Sequence, residues 1–234
     1  MNLTRPNPNL DQLSAAVTKL EPLLNKIVFV GGCITGLLVT DFAAAPTRPT
    51  LDVDVIVEAA SYVEFTVLEN QLRRLGFREC RTEHTPICRW VSGDLLLDFM
   101  PTDPSILGFS NRWYRPALRN TDRMTIGENE IRFITAPYFV ATKLEAFRGR
   151  GKSDFRMSHD LEDIVTVIDG RPELLNEVRV TSAELQKYLS DKFRELLSNR
   201  DFLEALPGNL LPDAASQQRL GLVVQRLRQL VIEG

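Results

Sequence analysis

Three carboxylates lie in strands that are otherwise apolar. Asp52 and Asp54 sit in the run Leu51–Val57, and Asp98 sits in Leu95–Met100. Alternate residues of a strand share a face. Asp52 and Asp54 therefore point one way, and Leu51, Val53, Val55 and Val57 the other. Asp98 likewise lies opposite Leu95, Leu97 and Phe99. Like charges this close repel unless a cation lies between them. Hard divalent ions, Mg²⁺ or Mn²⁺ in its place, take carboxylate oxygens together with substrate phosphates. A lone Asp-x-Asp also fits a solvated strand end. An acid in the middle of a second apolar strand is harder to explain that way, because charged side chains are almost never buried without a partner.

Gly31-Gly32 follows the β-branched strand Ile27–Val30 and precedes an expected helix over Cys33–Phe42. Glycine lets backbone N–H groups approach a ligand closely, and a helix N-terminus attracts phosphate. Thr35 adds a hydroxyl in the first turn. A plain tight turn would use the same glycines. Neither the Walker pattern nor G-x-G-x-x-G occurs here.

A second set of chemistry-bearing residues lies in 136–171. Phe139, Lys143 and Phe147 are each four apart, which sets Lys143 along an apolar stripe of a helix opened by Pro137. Such a lysine either reaches out to solvent or turns its ammonium into a site. The cations Arg148, Arg150, Lys152 and Arg156 follow. Asp160 and Asp163 then share one side of a helix from Ser158 to Ile168, opposite Leu161, Ile164, Val165 and Ile168. Acids in a first turn also stabilise a helix dipole by about 0.3–1 kcal/mol each, and Ser158 is a natural N-cap. Arg48, in the loop before the acidic strand, is within sequence reach of phosphate. Arg112, Arg115, Arg119 and Arg123, mixed with Trp113 and Tyr114, suit a nucleic-acid strand by charge and stacking. The same run fits an arginine-rich loop covering a sheet.

The elements that must position these residues divide the chain in two. Residues 1–135 read as α+β: a helix over 11–25, strands at 27–30, 51–57, 77–82, 87–91 and 95–100, a helix over 62–75, an irregular stretch over 101–121 and a hairpin over 124–134. Residues 136–234 read as helical, ending in a helix over 214–232. Hydrophobic residues make up 44% and charged residues 25% of the 234, ordinary for a globular protein. A net charge of -3 excludes a uniformly basic nucleic-acid binder and leaves only a local patch for that role. No apolar run reaches the roughly 18 residues of a membrane span, and the start lacks the pattern of a signal peptide. Cys33, Cys80 and Cys88, odd in number and without paired spacing, point to reduced thiols and a cytoplasmic setting. With only two histidines, His84 and His159, the composition argues against a His-rich zinc site.

Strand, Gly-Gly, helix, Asp-x-Asp strand and a later Asp-bearing strand together resemble the DNA polymerase beta-type nucleotidyltransferase superfamily. The resemblance implies a nucleotidyltransferase-type mixed sheet with flanking helices. It further implies that Gly31 and Gly32 hold a nucleoside triphosphate, and that Asp52, Asp54 and Asp98 hold two Mg²⁺ ions for in-line phosphoryl displacement. The superfamily usually has Ser at the second glycine position and a shorter glycine-to-acid spacing, so Ala43–Thr50 reads as an insertion. Lys143-Leu144-Glu145-Ala146, the arginine-rich loop and His159-Asp160-Leu161-Glu162-Asp163 resemble the nucleotidyltransferase toxins of abortive-infection and toxin–antitoxin systems. The match covers about residues 27–170. It implies that Lys143 contacts nucleotide phosphates, that Asp160 orients that lysine or the acceptor, and that Asp163 belongs to the same motif. His159 stands where a basic residue is usual. The expected function is transfer of a nucleoside monophosphate to an acceptor hydroxyl, with Asp98 taking the acceptor proton. An RNA 3′ end such as tRNA is the expected acceptor and a cognate antitoxin a candidate partner. Transfer to an aminoglycoside-like small molecule or to a protein is the first alternative. An inactive nucleotide- or partner-binding protein of the same fold is the second.

Overall fold

The protein is described from a computed structural model, over residues 7–59, 61–80, 82, 85–150 and 154–231, with the Arg150 side chain left aside. His84, Lys152 and the side chain of Arg150 lie outside what is described. The described chain separates into two compact units. One holds residues 8–34 and 49–135; the other holds Asn7, 35–48 and the residues from Ala136 onward.

The first unit is built on a mixed seven-stranded sheet with flanking helices. Its strands are β1 (Ile27–Val30), β2 (Asp52–Val57), β3 (Arg78–Glu79), β4 (Arg89–Ser92), β5 (Leu95–Pro101), β6 (Thr121–Ile126) and β7 (Asn129–Ile134). They lie in the order β3-β4-β5-β2-β1-β7-β6. β2 runs antiparallel to β1 and parallel to β5, and β1 runs parallel to β7. β1 is buried along its whole length, as its unbroken Ile-Val-Phe-Val run requires of a central strand. β4–β5 and β6–β7 are hairpins whose turns carry Gly93 and Gly127 at φ +59° and +61°, the left-handed region where glycine is favoured. The Leu10–Lys19 helix buries Leu13, Ala16 and Val17. Phe65, from the Tyr62–Arg74 helix, stacks on Phe99 of β5 with ring centroids 5.7 Å apart.

Several elements differ from the sequence reading. The first helix stops at Lys19, and Pro22 sits in a separate 3-10 turn, Glu21–Leu23, because proline cannot continue the helical ladder. Leu51 is not on the core face: it lies outside β2 and is 82% exposed. The stretch expected to be irregular contains two short helices, Pro104–Leu107 and Tyr114–Ala117.

The second unit has only helices as regular structure among its described residues. Its main helices are Ala136–Arg150, His159–Gly170 and Ala183–Leu197. In place of one long helix over 33–42 there is a 3-10 turn, Gly32–Ile34, and a single helical turn, Thr35–Leu38. The N–H groups of Thr40 and Asp41 are instead donated to the Gly170 carbonyl. The final helix is also broken, into Ala214–Gln218 and Leu220–Gln229. Between them Arg219 donates to Asp41 and Asp169.

Candidate functional site

The acidic site follows from strand register. Asp54 of β2 lies directly beside Asp98 of β5, and Asp98 lies directly beside Arg89 of β4. Residues opposite one another in a sheet share a face, so Arg89, Asp98 and Asp54 form a row, with Asp52 two residues along β2 on the same side. Val53, Val55 and Val57 are buried on the other face, as are Leu97 and Phe99. Asp98 is 7% exposed.

Gly31 borders this row. Its φ is +72°, and a β-carbon there would overlap the carboxylate of Asp54. Absence of a side chain at residue 31 is thus what leaves room for Asp54. Gly32 is buried, and its carbonyl accepts a hydrogen bond from Asn9 Nδ2 at 3.5 Å. Asn9 Oδ1 also accepts from the Thr50 N–H at 2.8 Å, so one side chain ties the glycine turn to the approach of β2.

Arg89, which the sequence reading did not single out, completes the row of charged residues. Its Nε donates to Asp98 Oδ1 at 2.7 Å, and its Nη2 to Asp98 Oδ2 at 2.8 Å and to Asp52 Oδ2 at 2.5 Å. Thr50 Oγ1 donates to the other oxygen, Asp52 Oδ1, at 2.9 Å. Hydrogen bonds to Asp98 and the nearby charges raise the guanidinium pKa above its ordinary value, against the opposing effect of burial. The signal was present in the hairpin: pairing Ser92 with Leu95 across the turn and counting back gives Arg89 opposite Asp98.

In kind, the donors fit a hard divalent cation: carboxylate oxygens on one face, with a cradle at Gly31 that a β-carbon would fill. Among the described residues, no group of three or more His, Cys, Asp or Glu is already gathered for a metal ion. Positive charge at Asp52 and Asp98 comes from Arg89.

The second unit carries its own charged cluster. Lys143 is 6% exposed despite its charge. Its Nζ lies 3.1 Å from Asp160 Oδ1 and 2.7 Å from Asp163 Oδ2, and 5.8 Å from the centroid of the Phe139 ring. Asp163 is 1% exposed and also receives a bidentate pair from Arg48, with Nε and Nη2 each at 3.0 Å. Burial lowers the Arg48 pKa, but the charge and hydrogen bonds of Asp163, together with the charges of Glu162 and Asp160, outweigh it, so the guanidinium ends above its ordinary value. Ser158 caps the helix that presents both acids, its hydroxyl accepting from the Leu161 N–H. The acids thus serve as partners of Lys143 and Arg48.

Other sequence candidates fall elsewhere. His159 is exposed, with Nδ1 3.3 Å from Glu162. Thr35 is buried, and its hydroxyl finds no hydrogen-bond partner among the described residues. Trp113 is 2% exposed and Arg112 lies over its ring at 5.0 Å. Its indole therefore packs in the core and is not a platform for stacking bases. Among the described residues no helix is long and apolar enough to cross a membrane.

No protein-family profile matches the chain, and no curated protein matches it. Solved structures do. An antigenic nucleotidyltransferase-like protein from Paracoccidioides brasiliensis is 19% identical, with a TM-score of 0.49 over 86% of this chain and 93% of that one. A candidate nucleotidyltransferase from H. pylori is 13% identical, with a TM-score of 0.46 over 95% of this chain and 92% of that one. Both of these structures carry the name of a nucleotidyltransferase or nucleotidyltransferase-like protein.

Proposed function

We propose that the protein is a nucleotidyltransferase, moving a nucleoside monophosphate from a nucleoside triphosphate to an acceptor hydroxyl. The observation that carries this reading is the row of Asp54 beside Asp98, with Asp52 on the same face and Gly31 making room for Asp54. Three carboxylates on one face repel unless positive charge lies among them, and Arg89 supplies such charge to Asp52 and Asp98. They suit Mg²⁺, held by Asp52, Asp54 and Asp98. When bound, such an ion supplies charge stabilisation for in-line phosphoryl displacement.

The chain's own residues do the rest. Gly31 keeps the turn close to the carboxylates. Asp98 is the candidate acceptor of the hydroxyl proton, once its hydrogen bonds from Arg89 are released. Lys143 is the candidate phosphate-binding cation, with Asp160 and Asp163 setting its position. An RNA 3′ end, tRNA among them, is the acceptor class carried over from the toxin-like motifs at Lys143 and at Asp160 and Asp163, with an antitoxin as the matching partner.

A second reading is favoured by one observation. Arg89 already neutralises Asp52 and Asp98, as expected of a protein of this fold that binds nucleotide or a partner without turnover.

The test is incubation of the purified protein with each α-labelled nucleoside triphosphate, Mg²⁺ and total bacterial RNA, beside an Asp52→Ala/Asp54→Ala control. Label in a discrete RNA species, lost in the control, is the expected result. Label on protein or on a small molecule would change the acceptor. No label on any acceptor class would favour the inactive reading.

A further inference from the structure

We propose that Arg89 is a displaceable internal counter-cation, which competes with a divalent metal ion for Asp52 and Asp98. The inference rests on the metal-binding reading of the three carboxylates. It goes beyond that reading by naming what holds the site together without metal and what limits the entry of metal.

The geometry carries the argument. A guanidinium presents donors in a rigid planar fork that matches a carboxylate. Arg89 uses that fork on both oxygens of Asp98 and extends the same Nη2 to Asp52. Thr50 takes the remaining Asp52 oxygen. Every carboxylate oxygen of Asp52 and Asp98 therefore already accepts a hydrogen bond. A metal ion can bind at these oxygens only by displacing donors or by sharing the oxygen lone pairs with them, and the positive charge of Arg89 disfavours sharing.

The position of Arg89 also permits release. Its side chain is 20% exposed, more than that of Asp98 at 10%. It projects from β4, one strand away from β5 and two from β2, so it can leave without moving the strands that carry the acids. Removing a buried counter-cation without replacement leaves the acids uncompensated. Metal and Arg89 are thus alternative solutions to one electrostatic problem.

The experiment measures Mn²⁺ binding by electron paramagnetic resonance, and melting in chelator against Mn²⁺. It compares the wild-type chain with Arg89→Met, Arg89→Lys and Asp98→Asn. Arg89→Met is expected to bind Mn²⁺ at least tenfold more tightly than wild type, to melt lower in chelator, and to gain more from Mn²⁺. Arg89→Lys, which keeps one charge but loses the fork, is expected to fall between the two. It also keeps the test usable where Arg89→Met does not fold in chelator. Affinity equal to or weaker than wild type in both arginine variants, with wild-type binding lost in Asp98→Asn, would overturn the proposal and leave the carboxylate metal site standing. Absence of Mn²⁺ binding at millimolar concentration in the wild-type chain and both arginine variants would overturn this proposal and the metal-dependent reading together.

Discussion

Gly31 and Asp54 occupy space that a single additional carbon would contest: a β-carbon on residue 31 overlaps the Asp54 carboxylate. The turn residue and the strand acid are therefore fitted to one another. Gly31→Ala meets two penalties. Its φ of +72° costs a non-glycine residue about 1–2 kcal/mol, and the carboxylate must move. A displacement of about 1 Å at a reacting centre can cost about 10²-fold in rate. Gly31→Ala is expected to lower the proposed transfer activity by that order while the protein still folds. Gly127→Ala, at φ +61° with nothing near its β-carbon, carries the backbone strain alone and should keep full activity. Initial rates and melting temperatures of the two variants, measured side by side, check the distinction. Equal activity losses would show that backbone strain, and not the carboxylate, is what matters at residue 31.

The buried cluster of the helical unit should be asymmetric in its response to mutation. Asp163 serves both Lys143 and Arg48, and loss of one partner from a buried ion pair costs about 3–5 kcal/mol. Asp163→Ala is expected to be the most destabilising change in the cluster. Lys143→Met should cost less, because Asp163 keeps its bidentate pair from Arg48. Arg48→Ala should cost least, since its side chain is 20% exposed and water can replace part of what is lost. Urea denaturation of the three variants gives the order directly. Arg48→Ala proving the worst would mean that this loop, and not Asp163, is the centre of the cluster.

How much of this was legible in the sequence depended on whether the signal was local. Asp52, Asp54 and Asp98 could be placed because strand periodicity is exact and their neighbours are apolar. The Lys143 stripe could be placed for the same reason at helical spacing. Arg89 was harder, because its partners lie across the sheet, and only strand register brings them together. For Trp113 the sequence left base stacking and a loop covering the sheet both open, because an aromatic among arginines looks the same whether its ring faces water or the core; the fold buries it. The helix over 33–42 was drawn too long because its end is set by tertiary bonds from Thr40 and Asp41 to Gly170, which no local pattern announces.

Gly170 shows how tightly that end is built. A β-carbon there would overlap Cγ1 of Val39 and lie 3.1 Å from its Cγ2, while the Gly170 carbonyl accepts from both Thr40 and Asp41. Gly170→Ala overpacks this contact, and such changes typically cost about 1–3 kcal/mol. The double variant Gly170→Ala/Val39→Ala removes the clashing methyl groups and should recover part of the loss. A double-mutant cycle in urea measures the coupling. Strict additivity of the two single changes would show that alanine at residue 170 acts through something other than Val39.

Acid sensitivity should reveal the contact that interrupts the C-terminal helix. Arg219 Nη2 donates to Asp41 at 2.6 Å, and its Nε to Asp169 at 2.7 Å. The hydrogen bond from Arg219 holds the Asp41 carboxyl below its ordinary range, against a smaller opposing effect of burial. A carboxylate depressed in the folded state binds fewer protons there than in the unfolded chain, whose carboxyl titrates near pH 3.9. The resulting stability is complete above about pH 5 and is lost as pH falls through the folded value. Arg219→Gln removes this contribution, so the stability gap between wild type and variant should be largest near neutrality. It should narrow as pH falls from about 5 to about 3. Comparing the two proteins cancels, to first order, the titration of every acid that Arg219 does not touch; Asp169, which also accepts from Arg219 Nε, loses its partner in the variant together with Asp41. Urea midpoints across that range provide the measurement. A gap that stays constant would show that Arg219 holds the helix junction through the Asp169 backbone carbonyl, which it also bonds at 2.9 Å, and not through Asp41.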